Sequence, residues 1–319
     1  MRRWWQDLTD LVLPAECGGC GRPRTVLCPE CRAALSGAAP CRVRPVPEPA
    51  GLPVVHAAAP YGDEVRAALL AHKERGALAL AAPLGAALAG AVRAGLRPVR
   101  RPGPAGRPTA WQGRLRLGKG EAWGEREGPE TVGSVVPGLG TGCGPVLLVP
   151  VPSARTAVRA RGHDPARRIA LAAAGELRRT GTPARVLGVL RQRRAVADQS
   201  GLNSRQRLEN LAGALEVVAG GERLLAEGGR VVLVDDLMTT GASLTEAARA
   251  VRAAQSGVRA VRWTGQRAER AVRWTGERAE QAEGYGRFAG REQAGGTNGD
   301  TVSSAVIAAS PDAFEINRN

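Results

Sequence analysis

The run Val231-Val-Leu-Val-Asp235-Asp236-Leu-Met-Thr239-Thr240-Gly241-Ala242-Ser243 constrains this chain more than any other segment. Four aliphatic residues in succession read as a buried strand. They lead directly into two adjacent acids, then a Thr-Thr-Gly turn, then a helix over Ala242–Ala254. The carboxyl end of such a strand faces the crevice where open α/β sheets hold ligands. Adjacent carboxylates repel one another, and the repulsion is relieved by a cation or by hydroxyl donors set between them. The turn offers consecutive backbone N–H groups, the hydroxyls of Thr239, Thr240 and Ser243, and a helix N-terminus, a combination that suits a phosphate dianion. Gly241 lets the backbone approach that anion closely. A plainer reading is a capping box in which Ser243 and Glu246 only start the helix. It accounts for the helix start but not for the paired acids at this distance from the turn.

The neighbouring segments place this run in an alternating α/β pattern. Pro145–Val151 reads as a buried strand. After a loop to His163, Asp164 can cap a helix with Pro165 in its first turn, running to about Arg179 and stopped by Gly181. Val186–Leu190 reads as a second strand, Arg191–Ser204 as a polar loop, Arg205–Leu215 as a short helix and Gly229–Val234 as a third strand. Upstream, Val54–Pro60 suits a short strand. Asp63–Arg75 suits a helix with Asp63 as cap and Gly76 as stop, and Leu78–Val99 an Ala/Leu-rich helix interrupted at Pro83. Val302–Ala309 has the composition of a last strand. Strands alternating with helices imply a parallel sheet covered by helices on its faces.

Two stretches break the pattern. Residues 100–144 are rich in Gly, Pro, Arg and Glu with no sustained period, and read as a disordered insertion. Ala260–Arg270 recurs as Ala271–Gln281, a tandem duplication too short for a solenoid. The resulting division is an N-terminal helix and cysteine module over 1–50, a strand–helix segment over 51–99, the insertion 100–144, a core over 145–258, a duplicated low-complexity insertion over 259–300, and a last strand with tail over 301–319.

The formal charge of +15 invites a nucleic-acid or polyphosphate partner. The basic residues are nearly all arginine, with lysine only at 73 and 119. An arginine-for-lysine bias beside abundant Ala and Gly also follows from GC-rich coding, so charge alone chooses neither reading. No window reaches the roughly 18–20 continuous apolar residues of a membrane span. Met1-Arg-Arg-Trp-Trp lacks the apolar stretch and cleavage site of a secretory signal, and its pattern through Val12 suits a short amphipathic helix. A cytoplasmic location is the expectation.

That location bears on the cysteines. Cys17-Gly-Gly-Cys20 and Cys28-Pro-Glu-Cys31 form two Cys-x-x-Cys pairs, each able to place two thiolates on one turn. Together they specify a tetrahedral four-cysteine zinc site of structural type. Metal is favoured over disulfides in a reducing compartment, and a redox dithiol would explain one pair but not both. Such a site stabilises a module too small to build its own core.

The Asp235–Ser243 arrangement resembles the phosphoribosyl pyrophosphate (PRPP) motif of type I phosphoribosyltransferases. The wider set of segments is similar to the ComF family, phosphoribosyltransferase-like proteins linked to competence. The likeness rests on Val149-Pro-Val-Pro, Arg159-Ala-Arg161-Gly, Gln199-Ser-Gly-Leu-Asn-Ser-Arg-Gln-Arg207-Leu-Glu-Asn210, and Val234-Asp-Asp-Leu-Met-Thr-Thr-Gly241, with the cysteine module and the helix after Tyr61. It implies a type I phosphoribosyltransferase-like α/β fold with a small N-terminal zinc module. In that likeness Asp235 and Asp236 hold the ribose hydroxyls and act catalytically, while Thr239, Thr240, Gly241, Ala242 and Ser243 cradle the 5-phosphate. Ser153, Arg155, Arg159 and Arg161 form the pyrophosphate loop, for which forked guanidinium donors are suited, although three arginines here also read as a solvated loop. Mg2+ would accompany PRPP. The polar stretch Arg191–Arg207 would close over the site. Members of the family often carry a further Cys-x-x-Cys where this chain has only Cys41. Purine-salvage relatives carry an acid where this chain has Thr239, so base activation from that position is absent and the acceptor is unspecified. Single-stranded DNA and other DNA-uptake proteins are possible partners under the same resemblance. A non-catalytic PRPP or nucleotide sensor, or a DNA-binding protein on the same fold, is the competing expectation.

Overall fold

A computed structural model describes residues 16–97, 144–196, 201–226, 228–257 and 302–315. The expected N-terminal helix, the insertion up to Cys143 and the duplicated segment lie outside these residues. Strand β7 (Arg230–Met238) is central in a six-stranded sheet. On one side it pairs in parallel with β3 (Val146–Pro150), which pairs in parallel with β4 (Ala184–Val186). On the other side it pairs in parallel with β8 (Val302–Ala309), which pairs in parallel with β2 (Val55–Pro60). The edge strand β1 (Cys41–Val43) runs antiparallel to β2, and a separate antiparallel ribbon joins β5 (Leu190–Gln192) to β6 (Leu215–Val217).

Both faces of the sheet are buried, which explains why its strands read as unbroken apolar runs. Val232 and Val234 of β7, with Leu148, Ala305 and Ile307, face one core. That core is closed by α2 (Asp63–Glu74), α3 (Ala81–Leu96) and α5 (Pro165–Arg179). Val231 and Leu233, with Leu147, Val149 and Val306, face a second core. It is closed by the short helix α7 (Gly221–Ala226), through Leu225, and by the helix α8 over 242–257, through Leu244, Ala247 and Val251. Small residues bring α3 against α5: a Cβ on Gly85 would meet the Ala172 methyl. The stretch Leu78–Leu96 is apolar and long enough to cross a bilayer by composition, but most of it is packed in this core.

Several boundaries differ from the sequence expectation for physical reasons. Pro83 opens α3 instead of interrupting a longer helix. A 3-10 turn over Leu78–Leu80 precedes it, and proline is tolerated in a first helical turn. Asp63 is the first residue of α2, with Gly62 at the cap and no side-chain cap bond. The expected strand Val186–Leu190 is two strand ends in different sheets, because β4 follows β3 while β5 turns away to pair with β6. Asp164 caps α5 as expected, its Oδ1 accepting the Arg167 N–H at 3.1 Å.

The topology locates a crevice. From β3 the chain passes outward to β4, whereas from β7 it passes outward in the opposite direction to β8. Connections that diverge from two adjacent parallel strands leave a gap above their carboxyl ends, the usual ligand position in open α/β sheets.

Candidate functional site

The strand β3 stops at Pro150, opposite Val234, and Val151 N–H makes the last bond to the Val234 carbonyl at 2.9 Å. Strand β7 does not stop there. Pairing with β8 carries it through Asp235, opposite Val306, to Met238, opposite Ala309. The diacid therefore lies within a strand and not beyond its end, on a stretch paired on the β8 side and open on the β3 side. It borders a cavity of about 430 Å3 lined also by Lys73, Ser153, Arg161, Thr239 and Ser243.

Four charged residues, Lys73, Arg161, Asp235 and Asp236, line this cavity, and the lysine and the two acids are directly coupled. Lys73, in the last turn of α2, donates from Nζ to Asp236 Oδ2 at 3.1 Å. Asp236 is 12% exposed at its side chain and Lys73 36%. Asp236 N–H donates to Asp235 Oδ1 at 2.9 Å, so the first acid folds back on the second residue's backbone. Enclosure of the Asp235 carboxyl, followed by the charge on Asp236, holds it well above the usual carboxylate range, against the opposing pull of Lys73. The Asp236 charge holds the Lys73 ammonium above its ordinary value. Two adjacent acids here share a single lysine. The site has room for a further cation or for hydroxyl donors.

The turn that follows brings two of the five residues expected to cradle a phosphate, Thr239 and Ser243, to the cavity. Gly241 has φ +75°, a backbone that L-residues rarely adopt, and its Thr245 partner closes the first turn of α8 from both N–H and Oγ1 onto the Gly241 carbonyl at 2.9 Å each. The leading N–H groups of α8 have no intrahelical acceptors. Thr239 and Ser243 line the cavity, while Gly241 and Ala242 are buried behind it and Thr240 is half-buried. Glu246 does not form the plain capping box with Ser243: it is buried, accepts the Leu215 N–H at 3.0 Å and pairs with Arg249.

The arginines assigned to a pyrophosphate loop are distributed otherwise. They lie on a short helix α4 (Arg155–Arg161), not on an extended loop. Ser153 lines the cavity. Arg155 and Arg159 are exposed and do not line it, because they share the solvent side of α4. Arg161 does line it, but its guanidinium is held by Glu74 through two bonds of 3.1 and 2.9 Å. Gln192 and Val196 of the polar stretch line the far wall, with Leu211 and Leu215. His56, His72 and His163 are not among the lining residues.

At the end of α2 the sequence leaves Lys73 and Arg75 equally able to face the site or solvent, and the structure brings Lys73 to Asp236. A signal was present: a chain that uses arginine almost throughout retains lysine here.

The second site is the cysteine cluster. The sulfurs of Cys17, Cys20, Cys28 and Cys31 lie within 4.8 Å of one another. A tetrahedral zinc with Zn–S bonds of about 2.3 Å holds its sulfurs roughly 3.8 Å apart, so the four thiols fit such an ion. Burial opposes ionisation of Cys17, but N–H groups of Cys28, Cys20 and Gly19 directed at its sulfur bring that thiol down to about 6. Burial and the neighbouring sulfurs push Cys31 up. Cys28 caps α1 (Pro29–Ser36) by accepting the Cys31 N–H. The cluster shares the first core with α2 and α3, and a Cβ on Gly19 would meet Cys31 Sγ and the Glu64 carbonyl. Cys41 lies on β1, outside the cluster.

Fold and site together define a mostly parallel α/β domain with an acid-lined crevice at its topological switch point and a cluster of four cysteines able to hold a metal such as zinc. No protein-family model matches the chain, and no curated protein matches it.

Proposed function

We propose that the crevice binds PRPP or a closely related sugar phosphate, and that the chain is a phosphoribosyltransferase-type protein of the ComF kind. The observation that carries this reading is the sharing of one cavity by Asp235, Asp236, Thr239 and Ser243 at the carboxyl ends of β3 and β7. The ribose hydroxyls donate to the two acids, which relieves the crowding of charge that a single Lys73 leaves. The 5-phosphate rests on the amides of the 239–243 turn. The diphosphate lies toward Ser153, where Arg161 becomes available if it leaves Glu74. The acids can add one or two oxygens to a magnesium ion that the diphosphate itself binds, the usual protein share for that ion.

Loss of pyrophosphate from C1 leaves positive charge on the sugar ring, and the carboxylates below it stabilise that charge. Among the described lining residues Asp235 and Asp236 are the only acids, and no histidine is present. The acceptor must therefore be nucleophilic already, or give its proton to one of these acids. The described cavity lining contains no aromatic side chain, so a nucleobase acceptor would lack a stacking partner here.

The test is a screen for pyrophosphate release from PRPP and Mg2+ across amine, amide and nucleobase acceptors. Release that disappears in Asp236→Asn supports a transferase. PRPP binding without release from any acceptor favours a sensor on the same site, and the absence of both removes the reading.

A further inference from the structure

We infer that Arg207, the last residue of the polar stretch expected to close over the site, has a specific role there: it is the cation that meets the sugar 5-phosphate held by the 239–243 turn. The inference rests on the phosphoribosyl reading above and adds to it the group that recognises the phosphate. Arg207 belongs to α6 (Ser204–Leu211), yet its Nη1 reaches Thr239 Oγ1 at 3.4 Å, across 32 positions of sequence. That distance is at the outer edge of a hydrogen bond, so the contact brings the guanidinium to the turn without satisfying it. Its Nε is enclosed and has no hydrogen-bond partner among the described residues. An enclosed donor without an acceptor is costly, and the same guanidinium reaches a turn suited to an anion through Nη1. A phosphate monoester supplies two oxygens at the spacing of the guanidinium fork.

The placement is built, not incidental. Helix α6 starts at a complete capping box: Asn203 Oδ1 accepts the Gln206 N–H at 2.9 Å, and Gln206 Oε1 accepts the Asn203 N–H at 3.0 Å. Leu208 and Leu211 on the same helix pack with Ala242, the first residue of α8. The element bearing Arg207 is thus seated on the element that forms the phosphate turn, which keeps the cation within reach of it. Arg205, two positions earlier, is 88% exposed and engaged by Glu209 at 2.8 Å. It carries the same charge without the contact and serves as an internal control.

The experiment is titration of ribose 5-phosphate into wild type, Arg207→Gln, Arg207→Lys and Arg205→Gln, with melting temperature checked for each. Arg207→Gln should weaken binding roughly ten- to a hundred-fold, the range for a charge-assisted bond to phosphate. Arg207→Lys should recover part of the loss, because the charge returns without the fork. Arg205→Gln should bind as wild type does. Equal binding by wild type and Arg207→Gln overturns the assignment while leaving the turn as the phosphate site. An equal loss in Arg205→Gln also overturns it, because the effect would then belong to net charge. A wild type that binds no ribose 5-phosphate removes the functional reading and this assignment together.

Discussion

Replacing Gly241 by alanine should destabilise the fold by about 1 kcal/mol, and the figure can be assembled from the turn itself. At φ +75° an L-residue costs roughly 1–2 kcal/mol. The new methyl carbon would lie 3.0 Å from Leu52 Cδ1 and 3.2 Å from Cδ2. Those are the far ends of a flexible side chain, so Leu52 can swing aside for about 0.5 kcal/mol. Against this, alanine restricts the unfolded chain and returns about 0.4–1 kcal/mol. The net loss should lower the melting temperature by about 2–4 °C in a core of this size. Gly175, inside α5, is the matched control: it has helical backbone, and a methyl added there would meet nothing within 4 Å. There the same substitution should stabilise by about 0.5–1 kcal/mol. Thermal and urea unfolding followed by circular dichroism would compare the two variants. Opposite signs are expected, with weaker PRPP binding in Gly241→Ala alone, because the leading amides of α8 are re-aimed. A Gly241→Ala variant as stable as wild type would refute the left-handed turn and the cradle built on it.

Asp235→Asn should raise stability at neutral pH. The native carboxyl titrates well above its unfolded value of 3.8, so its favourable contribution is complete below that value and is lost as pH rises through the native pKa. Melting curves from about pH 3.5 to 8 should show the variant gaining on wild type as pH rises, and a constant difference would contradict the assigned cause. Lys73→Met should cost roughly 1–2 kcal/mol in urea melts, less than the 3–5 kcal/mol typical of a fully buried pair because Lys73 is partly exposed. Pairing it with Asp236→Asn in a double-mutant cycle should show the loss to be shared, and strict additivity would deny the ion pair. Purified protein should contain about one zinc equivalent, lost together with cooperative unfolding in Cys17→Ser. A metal-free protein that melts as sharply as wild type would remove the metal assignment of the cysteine cluster.

What could be read from the sequence was local. The β7–turn–α8 unit, the Asp164 cap and the paired Cys-x-x-Cys turns each depend on residues a few positions apart, so spacing alone revealed them. What escaped depends on distant partners. The diacid lies inside β7 because β8, beyond the 258–301 stretch, pairs with it as far as Met238. Lys73 meets Asp236 across 163 positions. Arg161 was expected to face a diphosphate, but Glu74 on a separate helix takes its fork. Arg155 and Arg159 are spaced to share one side of a helix, and that side faces solvent. In each case spacing along the chain could not decide which charged residues reached the cavity, and the packing of remote elements did.

The most direct test of the central claim is calorimetric titration of PRPP with Mg2+ into wild type and into Asp235→Asn/Asp236→Asn. Saturable one-to-one binding by the wild type, abolished in the double variant while its melting curve stays cooperative, is the expected result. No heat of binding with wild type, or undiminished affinity in the double variant, would contradict the assignment of this crevice to a phosphoribosyl ligand.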